Sequence, residues 1–206
     1  LVERFDLHPA VEVPVLRSAA FEWNNRFGVR ETMYTHSREP NVVADALNRF
    51  AVDYTTGFVG PRVERDFSTF RHVIEPSVEY HYLTGVNRYR HTIAVDDIDL
   101  ITNTNEVEYA LTNRFFTSRE IFSWRLAQKY FFDPTFGGAI VPGARNVFAP
   151  LLDITGFAFA DGQRRMSPIV STMRFSTSPN TSTESEVDYD TKEHLFRSAG
   201  IIGGFN

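Results

Sequence analysis

The sequence predicts an all-β protein, and more specifically a segment of an antiparallel, up-and-down transmembrane β-barrel of about ten strands. Apolar and polar residues alternate with a period of two through much of the chain. Many of these runs extend for about 10 to 14 residues, whereas soluble strands cluster near 5 or 6 and tilted membrane strands need about 9 to 11. The chain is also 14% aromatic, although its mean hydropathy is -0.25. Long alternating strands and many rings together favour a bilayer.

Three weaker strands are predicted in the upstream part of the chain, and the middle one is the clearest. Its apolar residues, including Trp23 and Phe27, alternate with polar ones such as Asn24 and Arg26. The three strands and their two connecting loops are predicted at 5–13, 19–34 and 46–59, and at 37–44 and 60–69.

The central part of the chain alternates most regularly, with strands predicted at 70–84, 105–117 and 121–132. In the last of these, Trp124 and Leu126 alternate with Arg125 and other polar residues. The two predicted faces therefore differ in charge as well as in mean polarity, which is typical of strands with one apolar and one aqueous side.

Four further strands are predicted downstream, at 150–161, 166–177, 182–190 and 195–203. If all strands alternate in direction, most short turns fall at one end of the sheet and the long loops at the other. The turn at 178–181 is then an exception at the long-loop end. The short turns are at 117–120, 161–164 and 190–193, and the long loops at 85–104 and 133–147.

The cost of placing a charge against lipid decides which face of the predicted sheet is expected to point outward. A charge on the lipid side costs about 2 to 4 kcal/mol at mid-depth, so the charged side must face the interior of the barrel. Tyr80, Leu111, Trp124 and Leu126 are expected to meet lipid. The predicted lumen-facing wall consists of Glu79, Glu108, Arg114, Arg125, Lys129 and Arg174. Pairing across strands, for example of Glu108 with Arg125, is favoured over direct contact with a substrate.

Composition and motifs exclude several classes of function. A net charge of -5 argues against nucleic-acid binding, and the absence of Cys removes disulfides, thiolate metal sites and cysteine nucleophiles. The six His have no zinc-ligand spacing, and no GxSxG or phosphate-binding glycine loop occurs. The acidic run from Asp96 to Asp99 lacks the glycine and the terminal Glu of an EF-hand loop. We therefore expect no enzyme activity, no catalytic residue, no metal and no cofactor.

One stretch carries a family signal. It reads FRHVIEPSVEYHY at 70–82, followed by an acidic loop with Asp97 and Asp99, NEVEYALTNRF at 105–115 and WRLAQKYF at 124–131. In this order the segments are similar to the C-terminal barrel of the lipopolysaccharide-assembly protein LptD, also called organic solvent tolerance protein. Pro76 is expected to mark the entry of its strand, because proline donates no ladder hydrogen bond.

The resemblance implies an outer-membrane barrel that delivers lipopolysaccharide to the outer leaflet through a lateral opening, without catalysis. It assigns residues 1–206 to the C-terminal barrel domain, with the N-terminal periplasmic jelly roll absent from this sequence. The implied partners are lipopolysaccharide, outer-membrane lipid, an LptE-like plug lipoprotein and the periplasmic bridge protein LptA. As a fragment, the chain is expected to form an open, curved sheet.

Two alternatives remain open at this point. A passive porin or an uptake barrel would show the same alternation and strand length. A soluble β-sandwich that acts as a binding module would alternate in the same way, with its apolar face turned inward against a second sheet.

Overall fold

Eleven antiparallel strands form one sheet in the computed structural model, which describes residues 3–38, 46–86, 88–140 and 163–205. Short 3-10 turns at Tyr89–His91 and Phe136–Gly138 are the helical elements among these residues. The strands are β1 (Arg4–Leu7), β2 (Ala10–Arg17), β3 (Glu22–Tyr34), β4 (Leu47–Val59), β5 (Val63–Asp66), β6 (Arg71–Thr84), β7 (Thr104–Phe116), β8 (Glu120–Phe131), β9 (Ile169–Ser178), β10 (Thr181–Asp190) and β11 (Leu195–Phe205).

The order of the strands follows the chain, β1-β3-β4-β6-β7-β8-β9-β10-β11, with β2 also pairing with β3 and β5 with β6. Every pairing is antiparallel. The predicted all-β, up-and-down fold is therefore confirmed. Among the described residues, no strand pairs with the outer edges of β1, β2 or β11, so the sheet is open, as expected for a fragment of a barrel.

The described strands form a single layer, and the soluble β-sandwich is therefore wrong. A sandwich would need a second sheet packed on the apolar face, but all eleven strands belong to one sheet. The large side chains of the apolar face are uncovered. Those between 38% and 53% exposed include Phe27, Phe50, Phe58, Val78, Tyr109, Leu111 and Phe175.

Two upstream boundaries differ from the prediction. The strand expected at 5–13 is divided into β1 and β2, which pair with successive parts of β3. Pro9 lies in the break, where its carbonyl accepts a hydrogen bond from the Val29 amide at 3.1 Å, while its own nitrogen has no proton to donate. The expected loop at 60–69 contains the short strand β5, which pairs with the start of β6. Each of these two differences adds a strand to the ten predicted, and because the predicted strand at 150–161 falls outside the described residues, the structure describes eleven strands.

Pro76 lies inside β6 and does not mark the strand entry. Residues before it in β6 pair with β5, and residues after it pair with β4. The Gly60 amide donates to the Pro76 carbonyl at 2.8 Å at this junction. A residue without an N–H is tolerated here because one side of β6 changes its neighbour at this point.

The downstream strand directions are also corrected. β8 pairs directly with β9, from Phe122 opposite Phe175 to Ala127 opposite Val170, so no strand lies between them. The predicted strand at 150–161 falls outside the described residues. As a result, the turn at 178–181 lies beside the turn at 117–120, and the turn at 190–193 lies at the opposite end, which reverses the predicted positions of the two later turns.

We call the end of the sheet with the connections from β6 to β7 and from β8 to β9 the long-loop end, and the opposite end the short-turn end. Aromatic side chains of the apolar face form a row near the short-turn end. Its ring centroids are separated by 5.9 Å (Phe70–Phe115), 5.6 Å (Phe115–Phe122) and 4.5 Å (Phe122–Phe175). Towards the long-loop end, Phe132 contacts Tyr80 and Tyr130 with centroid distances of 6.3 and 5.1 Å.

A small apolar core lies at the long-loop end. It consists of Phe131, Phe136, Ala139 and Ile140, with Tyr89 packed against it. Phe131 is paired with Glu106 in the sheet, so its side chain lies on the charged side. Tyr89, Phe136, Ala139 and Ile140 of the two long connections thus pack on the charged side of the sheet, whereas Phe132 contacts rings of the apolar face.

Candidate functional site

The charged face of the sheet is the candidate site. Residues directly opposite each other in antiparallel strands point to the same side, so the register assigns each side chain to a face. Glu79 is opposite Glu108, which is opposite Lys129, and Arg114 is opposite Ser123, which is opposite Arg174. All six predicted wall residues lie on this face: Glu79, Glu108, Arg114, Arg125, Lys129 and Arg174. Tyr80, Leu111, Trp124 and Leu126 lie on the apolar face.

The centre of the charged face is a network of buried acids and bases. The Lys129 ammonium donates to Glu106 at 2.8 Å, and the Thr104 hydroxyl donates to the other Glu106 oxygen at 2.7 Å. The His81 Nε2 atom lies 3.0 Å from an Asp53 carboxylate oxygen. The side chains of Glu106 and Lys129 are only 3% and 10% exposed. Opposite charges in contact compensate the loss of hydration that burial imposes on each group.

A cleft of about 400 Å³ opens beside this network. Arg30 binds Asp6 through its Nε and Nη2 atoms at 3.0 and 3.1 Å, and Arg26 lies 3.3 Å from Asp53. A Cβ atom at Gly28 would lie only 3.0 Å from His8 Nε2, so glycine leaves room for the imidazole. The charged and polar residues that line the cleft are His8, Arg26, Arg30, Asp53, Thr55, Glu79, His81, Asp97, Thr104, Glu106 and Lys129.

The loop between β6 and β7 is attached to three strands over the long-loop end of the charged face. Arg4 donates to both carboxylate oxygens of Asp96, at 2.7 and 2.6 Å, and to Asp99 at 2.9 Å. The Tyr34 hydroxyl donates to Asp99 at 2.6 Å, and Arg49 donates to the Asp99 and Ile101 carbonyls at 3.2 and 2.7 Å. We call this set of contacts the loop clamp.

The loop clamp favours charged carboxylates. The hydrogen bond from Arg4 lowers the pKa of Asp96. Burial alone would raise the pKa of Asp99, but hydrogen bonds from Tyr34, the Val95 amide and Arg4 outweigh it, so this pKa is lowered as well. Both carboxyl groups are therefore ionised at neutral pH, and the clamp is at full strength there.

Nearer the short-turn end, the charged face carries a second set of ion pairs. Arg62 donates to Glu75 at 2.5 Å and to Glu22 at 3.2 Å. Arg125 is paired with Glu108 across the β7 and β8 strands. The pairing proposed from the sequence for these two residues is thus present in the structure.

The described residues contain no group of three or more His, Asp or Glu side chains that could hold a metal ion. No described helix is long and apolar enough to span a membrane. What the arrangement provides is a wide surface of charged and hydrogen-bonding groups.

Comparison with known families decides the identity. The model of the LptD family, described as LPS transport system D, matches residues 2–206. The chain belongs to the LptD family. A comparison with individual curated proteins finds no match. The family handles lipopolysaccharide in transport to the outer membrane, and the all-β fold fits its outer-membrane location.

The LptD match extends well beyond the motifs found in the sequence, which were clearest from Phe70 to Phe132. Within the charged face of this LptD chain, Glu108, Arg125 and Lys129 are brought together, since Glu108 contacts Arg125 and lies 4.0 Å from Lys129. Arg114 lies 3.7 Å from Glu75. Arg174 is separate and makes no ion pair with the described residues.

Several residues of the LptD charged face were absent from the predicted wall. Glu106 follows the same alternation as Glu108, so a stricter use of the period of two would have found it. Asp6, Arg30 and Asp53 lie in upstream strands whose alternation is weak. Their place in the network depends on pairings between β1, β3 and β4, which the local pattern does not determine.

Proposed function

We propose that this chain is part of the C-terminal barrel of LptD, that its charged face lines the aqueous interior, and that lipopolysaccharide leaves this barrel for the outer leaflet through a lateral opening. No catalytic group takes part. The remainder of the barrel and a periplasmic jelly roll belong to the same protein in this proposal. Its partners are a plug lipoprotein of the LptE type and the bridge protein LptA, which contacts the jelly roll.

The distribution of exposure between the two faces is the main support for this proposal. Phe27, Phe58 and Val78 are 53%, 38% and 48% exposed, whereas Asp53, Glu106 and Lys129 on the other face are 8% exposed or less. In water, keeping this apolar surface exposed would cost about 25 cal/mol of free energy for each Å². In a bilayer the same surface is solvated by lipid chains, and the ions face a wet interior.

The positions of the connections support an orientation. Outer-membrane barrels have short periplasmic turns and longer extracellular loops. The long connections that carry the loop clamp would then lie at the outer surface and fold inward over the charged face. The short-turn end, with its aromatic row, would lie at the periplasmic interface, where aromatic girdles are typical.

Depletion of the full-length protein tests the transport function. We expect loss of newly made lipopolysaccharide from the cell surface, measured by its accessibility to an external modifying enzyme, and recovery when the intact gene is restored. A passive porin would instead alter the uptake of small solutes and leave surface lipopolysaccharide unchanged. That second result would overturn the proposal.

Single cysteines test which face meets lipid, and the absence of native Cys makes the labelling of this segment unambiguous. Thr112→Cys lies on the charged face and Leu111→Cys, the adjacent residue, on the apolar face. In the membrane-embedded full-length protein, a water-soluble maleimide should label Thr112→Cys and leave Leu111→Cys unlabelled. Equal labelling, or the reverse, would contradict the assignment of the faces.

A further inference from the structure

One row of the charged face carries donors that the described part of the protein does not use. Arg114, Ser123 and Arg174 are directly opposite one another on β7, β8 and β9, with Ser123 in the middle. Strands are about 4.8 Å apart, so the Cα atoms of the two arginines are separated by about 10 Å. The row lies in the short-turn half of the sheet, two positions from the Phe116 end of β7. We call these three residues the arginine row.

The arginine row differs from Arg30, Arg62 and Lys129 in having no hydrogen-bonded acid among the described residues. Arg30, Arg62 and Lys129 each donate to a carboxylate at 3.0 Å or less. Among the described residues, the side chains of the arginine row make no hydrogen bond. The nearest carboxylates to Arg114 are Glu75 at 3.7 Å and Glu120 at 4.0 Å.

Neighbouring charges leave the row accessible. Glu75 is already bound by Arg62 at 2.5 Å. Glu184 is opposite Arg174 on β10, but the two make no ion pair. The Arg114 side chain is 43% exposed, and Arg174 is exposed. Arg125, the next residue of β8 on the same face, adds a positive charge beside the row although its own guanidinium is held by Glu108.

We propose that Arg114, Ser123 and Arg174 form a binding site for anionic substituents, phosphate or carboxylate, on the sugars of lipopolysaccharide. Guanidinium groups bind such oxygens through two parallel hydrogen bonds, and a hydroxyl between them supplies a third donor. This inference depends on the proposed function, because it places the substrate in the interior. Acidic side chains of a plug protein are the competing occupant, and the test separates the two.

Photo-crosslinking in cells tests the site in the full-length protein with its natural partners. The crosslinker is placed by Thr172→p-benzoylphenylalanine, since Thr172 lies on the charged face beside Arg125 and leaves the arginine row intact. Ser171, the adjacent residue on the apolar face, is the matched control position. We expect lipopolysaccharide adducts from position 172 and few from position 171. Adducts with the plug lipoprotein instead, or no adduct from position 172, would overturn the proposal.

Charge substitutions then test the arginines themselves. Combined Arg114→Gln and Arg174→Gln should lower the lipopolysaccharide adduct at position 172 by about tenfold, because charge-assisted hydrogen bonds are lost. Arg71→Gln is the control: Arg71 is an exposed cation of the same face, packed over the Phe116 ring at 5.0 Å, and its removal should change the yield by less than about twofold. Glu184→Gln should raise the yield. An adduct that does not respond to the arginines would rule out the site.

The chemistry of the ligand is tested with the purified full-length complex. In the natural protein, phosphatase-treated lipopolysaccharide should crosslink less than untreated lipopolysaccharide. In the double arginine variant, the two forms should give equal yields of adduct. If the treated and untreated forms behave alike in the natural protein, phosphate is not the recognised group. Lipopolysaccharide whose carboxyl groups have been reduced to alcohols must then crosslink less than untreated material. If it does not, the site is refuted. Failure here, with surface lipopolysaccharide still lost on depletion, rejects the site and leaves the transport function standing.

Discussion

At the scale of residues, the charged face combines acids and bases that neutralise one another with one row, the arginine row, whose side chains make no hydrogen bond with the described residues. Lys129 and Glu106 are almost completely buried, and each has an oppositely charged partner. A buried ion pair contributes little net stability relative to apolar residues, but loss of one partner leaves a buried charge without compensation. The network therefore makes the wall sensitive to single substitutions that remove charge.

Lys129→Met should destabilise the folded protein by roughly 3 kcal/mol, the lower end of the range for breaking a buried pair, because the neighbouring cleft admits water. The measurement is the temperature at which the full-length protein unfolds in detergent, and unfolding is detected as a change in the protein's mobility on gels. Combined Glu106→Gln and Lys129→Met should recover at least half of the loss. A double variant no more stable than the single one would show that the charge pair is not the cause.

The loop clamp should depend on pH. The pKa of Asp96 and of Asp99 is lowered in the folded protein, so the stability that these carboxylates contribute is complete above the ordinary aspartate pKa of about 4 and is lost as the pH falls through the lowered values. A spin label at Val95→Cys, an exposed position of the loop, should be immobile at pH 7 and gain mobility progressively as the pH falls below about 4.

Two controls define this pH prediction. With Asp99→Asn, the label at position 95 should already be more mobile at pH 7, because the ionic contact to Arg4 is removed. A label at Ser118→Cys, in the turn at the opposite end of the sheet, should not respond to pH in the same range. Equal responses at the two positions would indicate general unfolding and contradict a local clamp.

At the scale of elements, the central strands have one apolar side and one charged side. Leu111 and Thr112 are adjacent in β7 and point to opposite faces. Because the period of a strand is two, a shift of one residue in register would exchange the two faces. The ion pairs and the clamp on one side, and the aromatic row on the other, therefore act together to fix the register.

Leu111→Arg should cost about 2 to 4 kcal/mol, since Leu111 lies near the middle of the apolar face, where in the proposed orientation a charge would meet lipid. Thr112→Arg introduces the same side chain on the charged face and should cost less than about 1 kcal/mol. The yield of folded full-length protein in the outer membrane and its unfolding temperature are the measurements. Similar losses for the two variants would contradict the orientation of the sheet.

At the scale of the whole molecule, the sheet is open, with unpaired edges at β1 and β2 and at β11 among the described strands. Open edges in a bilayer leave backbone N–H and C=O groups without partners, which costs several kcal/mol for each group. Exposed edges in water promote aggregation. The closed barrel proposed above therefore requires further strands.

Residues 1–206 expressed alone should fail to form a closed barrel, because the two edges of the sheet do not pair with each other. We expect aggregation without detergent, no heat-dependent shift on gels and no stable conductance steps in planar bilayers. The full-length protein in the same detergent is the control and should show the heat-dependent shift. A monodisperse, heat-shifting fragment would contradict the open sheet.

The sequence predicted the fold class, the strands from β6 to β8 and the placement of the proposed wall residues on one common face, because alternation is a local property that backbone geometry imposes on each strand. It failed where tertiary contacts decide. The break at Pro9, the short strand β5 and the position of Pro76 all depend on which neighbour a strand meets.

The sequence by itself thus determined that this chain makes long two-sided strands, and its motifs already resembled the LptD family that the family comparison identifies. Only the tertiary structure decided that β8 pairs with β9, that an acidic loop is attached to Arg4, Tyr34 and Arg49, and that Arg114 and Arg174 lie on either side of Ser123. These contacts join residues far apart in the chain, so they depend on the register and on loop packing, which a period of two along one strand does not encode.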